Sequence, residues 1–154
     1  MSVLWRENAF IDAAYRDAMG QMEEARAYIA DKGKRERDEL ESSDRLIFSC
    51  ESFRVTSRLT QVTAWILIRK AVAAGEMSDA DALDDAHRLA CADVCDTVFE
   101  DREERMPDRL RDMLDRSLAL YQRVARLDSQ LGEALIGADA PMDRAIAQRG
   151  FKEF

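Results

Sequence analysis

Three segments of this chain, running from about Trp5 to Asp31, Ser42 to Gly75 and Pro107 to Ile136, repeat apolar or small residues at alternating steps of three and four. That spacing draws one stripe along an amphipathic helix. In the first segment the stripe is Ile11, Tyr15, Ala18, Met22, Ala25 and Ile29; in the last it is Leu110, Leu114, Ser117, Tyr121, Val124 and Leu131. The middle segment carries two stripes. One is Phe48, Val55, Leu59, Val62 and Ile66, and the other, richer in small residues, runs from Leu46 through Cys50, Phe53, Ser57, Thr60, Ala64 and Leu67 to Ala71. A helix with two such flanks touches two neighbours, in the same chain or in a second copy.

The punctuation agrees with long helices. There are two prolines and six isolated glycines in 154 residues, so little breaks the pattern. Gly33 among charged neighbours reads as a loop, with Ser42, Ser43 and Asp44 as candidate caps for the helix that follows. Gly75 suits a left-handed stop, Pro107 a first helical turn, and Gly137 and Pro141 an end. Between Gly75 and Pro107, Ser78 followed by Asp79 and Asp81 reads as a capped start, and a shorter, weakly apolar helix is expected through Leu83, Ala86, Ala90, Val94 and Val98. The fold class is therefore all-α, an antiparallel bundle of three long helices, each about 40–50 Å, with the shorter helix as a crossover or cap. One helical domain spans residues 1–140, and residues 141–154 form a C-terminal tail.

Charge and composition narrow the function. A net charge of −8 opposes nucleic acid and anionic membranes, and the short basic stretch Lys32 to Arg37 is followed at once by acids. No stretch is apolar for long enough to span a bilayer, no secretory leader is visible, and three cysteines suit a reducing compartment, so a cytoplasmic protein is expected.

Catalytic constellations are sparse. With one histidine, His87, no site needing two can be built in one chain. Asp84 and His87 share a helix face, but that is only half of a di-metal motif, and the segment reads as an ordinary acidic exposed helix instead. Cys91 and Cys95, four apart, lack further ligands and read as core volume. No catalytic residue, metal site or cofactor is assigned.

The stripe Arg54, Arg58, Gln61, Trp65 and Arg69 is more informative, because arginine and tryptophan are enriched at protein interfaces and here line one helix face. It is a candidate protein-interaction surface; alternatively Trp65 turns into the core and the arginines pair with acids of a neighbouring helix. A second series, Arg109, Arg116 and Arg123, is interleaved with acids and reads as a solvated face.

Two stretches carry a family resemblance. They run from Ser52-Phe53-Arg54-Val55-Thr56-Ser57-Arg58-Leu59-Thr60-Gln61-Val62 through Trp65 to Gly75-Glu76, and from Pro107-Asp108-Arg109-Leu110 through Leu114-Asp115-Arg116-Ser117 to Leu120-Tyr121-Gln122-Arg123-Val124-Ala125-Arg126-Leu127-Asp128. They resemble the RcdA family (regulator of CtrA degradation), small helical proteins of alphaproteobacteria. The resemblance implies a homodimeric helical bundle without catalytic residues. It also implies an adaptor that helps the ClpXP protease, primed by the response-regulator-like CpdR, to degrade cell-cycle proteins. The family's C-terminal extension is linked to function, and the tail here is short. A general interaction scaffold unrelated to proteolysis is the alternative.

Overall fold

The computed structural model describes residues 3–98 and 105–138. Its helices are α1 (Val3–Ala30), α2 (Lys32–Asp38), α3 (Ser42–Ala73), α4 (Asp79–Ala82), α5 (Ala92–Cys95) and α6 (Asp108–Ala138), with a 3-10 turn at Asp85–His87 between α4 and α5. The described residues contain no strand. None of their helices is long and apolar enough to cross a membrane. The tail 141–154 and Pro141 lie outside the described residues, as do 101–104 of the charged run before Pro107.

α1, α3 and α6 form the bundle. Lys70, near the end of α3, reaches Asp12 near the start of α1 at 2.5 Å, while Phe48 at the start of α3 packs on Tyr28 near the end of α1. These two helices are thus antiparallel. α3 and α6 run the same way, because Arg58 meets Leu114 and Trp65 meets Asp128. The segment between Gly75 and Pro107 carries the chain back to make that possible.

Phe48, Val55, Leu59, Val62 and Ile66 of α3 are all buried, facing Leu110, Leu114, Ser117, Tyr121 and Val124 of α6 and the inner face of α1. On α1 the buried line is Ile11, Ala14, Ala18, Gln21, Ala25 and Tyr28, so the face is turned by about one residue from the sequence stripe, and Tyr15, Met22 and Ile29 lie at its edge. Tyr28 accounts for the turn: its ring meets Phe48, and its hydroxyl donates to Glu36 Oε2 at 2.5 Å.

Two boundaries differ from the sequence reading. The stretch around Gly33 is helix rather than loop, since α2 folds back on α1 with Gly33 against Tyr28, where a Cβ would stand 2.8 Å from the Tyr28 ring and carbonyl. Glu41, rather than one of the serines, is the N-cap of α3, and Arg45 ties the corner by donating to the carbonyls of Leu40 and Asp38. At the other end Gly75 has φ 74°, and the amides of Gly75 and Glu76 bond the carbonyls of Val72 and Ala71. This closes the Schellman motif that a glycine there favours.

The expected third helix is broken into α4, the 3-10 turn and α5. Ser78 accepts from the Asp81 amide and Asp84 from the Ala86 amide, so the chain is capped twice within a few residues, and Cys91 adopts φ 59°. Short polar side chains offer the backbone local bonds that compete with a helix. The weak apolar pattern gives too little burial to override them.

Candidate functional site

An irregular segment laid on a bundle must find partners for its backbone groups, because buried, unpaired amides and carbonyls are costly. The side chains of α3 supply them. Arg69 Nη2 donates to the Ala82 carbonyl at 3.1 Å, Gln61 Oε1 accepts from the Ala90 amide at 3.1 Å, and Arg54 Nη1 donates to the Val94 carbonyl. Arg58 does most: Nε donates to the Cys95 carbonyl at 2.6 Å, Nη2 to that of Thr97 at 3.0 Å, and Nη1 to that of Leu114 in α6 at 3.0 Å. A planar guanidinium holds several donors in a fixed fork, which a lysine does not.

The five stripe residues are therefore brought together, with their side chains turned inward. Arg58 is 0% and Trp65 2% exposed, Arg54 is buried, and Gln61 and Arg69 are half-buried. Of the two sequence readings, the placement follows the inward one with a change of partner: Arg54, Arg58 and Arg69 bond carbonyls of the connecting segment, and Arg54 also meets Glu51 of its own helix at 3.3 Å.

Trp65 leads to a group the sequence reading missed. Its indole donates to Asp128 Oδ1 at 2.9 Å, the same carboxylate accepts from Arg88 Nε at 3.0 Å on both oxygens, and the Arg69 guanidinium lies over the Trp65 ring at 5.6 Å from its centre. Gly132 gives Arg88 its place, since a Cβ there would stand 3.1 Å from the guanidinium. A glycine inside a helical pattern was the available signal. Tyr121 completes the seam by donating to the Ala90 carbonyl at 3.3 Å, and burial is the main cause of its phenol being pushed up to about 12.

The remaining candidates are dispersed. Asp84 caps the 3-10 turn, and His87 Nδ1 bonds the Asp81 carbonyl at 2.8 Å. Cys91 is exposed and Cys95 buried, and burial above all raises the Cys95 thiol. Among the described residues no three of His, Cys, Asp and Glu gather as metal ligands would. Arg109 and Arg116 both reach Glu24 of α1, at 2.8 and 2.6 Å, and Arg123 lies over Phe10, so this series clips α6 to α1 as well as facing water.

The arrangement can hold a shaped polar segment against a bundle, and comparison places it among known proteins. A family model described as a protein of unknown function, DUF1465, matches residues 5–149. The crystal structure of RcdA from Caulobacter crescentus CB15 is similar, with a TM-score of 0.64 and 32% identity over 79% of this chain and 89% of that one. No curated protein matches significantly. By sequence match along nearly its whole length, and by a shared bundle, the chain belongs to the DUF1465 family of RcdA-like helical proteins.

Proposed function

We propose that this protein is a non-enzymatic, cytoplasmic adaptor that holds client proteins and protease-linked regulators together, aiding their degradation by a ClpXP-type protease. The observation that carries this reading is the 32% identity with RcdA over 79% of the chain, on the same fold. The reading includes a homodimer and needs no cofactor. Nucleic acid and membrane are left out of it, in keeping with a net charge of −8.

The mechanism is tethering. Two modest contacts made by one adaptor raise the local concentration of a client, and such linkage strengthens capture by about 10²–10⁴ without new chemistry. Arg54, Arg58, Gln61, Trp65 and Arg69 serve as positioning residues in this reading. They fix the segment 78–98 from beneath, and its outer side, with Asp79, Asp85, Asp93 and Asp96 exposed, meets the partner.

A reconstituted degradation assay tests it. Adding the protein to unfoldase, peptidase and primed regulator is expected to speed turnover of at least one client, and Arg69→Ala to weaken that effect while the protein stays folded. Unchanged turnover of every candidate client sinks the adaptor reading. Affinity purification that recovers partners but no unfoldase, response regulator or degraded protein would point instead to a scaffold unrelated to proteolysis.

A further inference from the structure

One flank of α3 has no partner within the described chain. It is the second sequence stripe, in which Leu46, Phe53 and Leu67 are 68%, 67% and 50% exposed. Cys50, Thr60 and Ala64 are exposed as well, with Ser57 and Ala71 half-buried. Five of the six exposed large apolar side chains among the described residues lie on α1 and α3, and one of them, Ile29, lines a groove beside the stripe. That groove, about 380 Å³ and almost wholly apolar, is lined by Met22, Ile29, Thr56, Leu59 and Thr60 among others.

We propose that this flank pairs with the same flank of a second copy, the two α3 helices running antiparallel about a two-fold axis between Ser57 and Thr60. The inference rests on the homodimer reading above and assigns its interface. Its support is the register. The stripe repeats in steps of four and three, the spacing of a two-helix seam. Turned end for end, Ser57 meets Thr60, Phe53 meets Ala64, Cys50 meets Leu67 and Leu46 meets Ala71. Each large side chain then falls opposite a smaller one, as interlocking layers require. Parallel pairing would instead set Phe53 on Phe53 and leave voids at Ser57 and Ala64. A slip of one heptad would carry Leu46 or Ala71 past the partner helix.

Charge and area favour a second copy as the occupant. Two chains of −8 repel, yet the stripe holds no ionisable side chain other than the Cys50 thiol, so closing it buries no formal charge. Arg26, which also lines the groove on α1, is paired with Glu23, and Lys70 with Asp12, so these charges are balanced in sign. Two helices side by side offer a face about 40–45 Å long and about 20 Å wide, close to the roughly 800 Å² per partner of a stable interface. A two-fold contact of this kind is closed and stops at the dimer.

Cross-linking through the native Cys50 tests the register. In a Cys91→Ser background, Leu67→Cys treated with diamide is expected to yield a covalent dimer joining Cys50 of one copy to the introduced thiol of the other. The parent with Leu67 intact should not cross-link, because the two Cys50 residues lie about 25 Å apart along the seam. Ala64→Glu, at an exposed position, is expected to raise the dimer dissociation constant at least tenfold in sedimentation while helix content by circular dichroism stays unchanged. A dimer that survives Ala64→Glu and gives no cross-link with Leu67→Cys overturns this interface and leaves the homodimer reading standing. Cross-linking of the parent through Cys50 overturns the antiparallel register. A protein that sediments as a monomer up to its solubility limit sinks the homodimer reading, and this inference with it.

Discussion

The trio α1, α3 and α6 and the segment 78–98 lie against each other, yet they are held by different forces. The trio is an apolar contact in which Val62, Ile66, Leu110, Leu114 and Val124 lose almost all their exposure. The segment buries little more than Ala82 and Cys95, and it is fastened by directional bonds from Arg54, Arg58, Gln61 and Arg69 to its main chain. Apolar burial is non-directional and tolerates small shifts, whereas a comb of side-chain bonds fixes one backbone path and fails when one tooth is removed. In this molecule α3 serves both purposes on different sides of a single helix.

Substitutions can break that contrast, beginning with the residue that belongs to both regions. Trp65→Ala is expected to cost about 3–5 kcal/mol, because it opens a core cavity and strips Asp128 of its buried donor. Chemical denaturation followed by circular dichroism should show the whole transition moving together. Arg58→Ala comes next, at about 2–4 kcal/mol, since the carbonyls of Cys95 and Leu114, both buried, and the half-buried one of Thr97 lose this donor. Arg58→Lys should recover less than half of that loss, because an ammonium cannot reproduce the fork. Full recovery by lysine would show that charge alone holds the segment.

Smaller effects sharpen the boundary between the regions. Arg88→Ala removes the clasp on Asp128 but leaves Trp65 bonded to it, so about 1–2 kcal/mol is expected in the same denaturation experiment. Gly132→Ala should stay within about 1 kcal/mol of the parent, because the new methyl meets only the flexible end of Arg88 while the helix gains propensity. A loss much above that would mean that Arg88 cannot move, and that the clasp is part of the rigid core.

The two regions also differ in how far the sequence revealed them. Phe48, Val55, Leu59, Val62 and Ile66 stood out as a stripe and all are buried, because helical periodicity is a direct imprint of burial on one side. The end of α3 at Gly75 was legible for a similar reason, a single residue meeting a single backbone requirement. The segment 78–98 was not, since its path is set by bonds from residues 13 to 40 positions away, which leave no local pattern. The arginine and tryptophan stripe was visible as a set, yet its direction was open: on a helix with two apolar flanks, spacing alone does not say which neighbour a polar line meets. Arg88 and Asp128 were missed for the same reason, each being ordinary until the fold brings them together, and Gly132, a glycine inside a helical pattern, marked a close approach without saying what approaches.

Native-state hydrogen exchange on the parent and on Arg54→Ala most directly tests whether the segment is a separate unit fastened by α3. In the parent, amides of 78–98 are expected to exchange at least about tenfold faster than those in the centres of α1, α3 and α6, in keeping with local opening below the global stability. In Arg54→Ala the segment should lose further protection while the three long helices keep theirs. Equal loss across segment and bundle, or no change in the segment at all, would contradict the account.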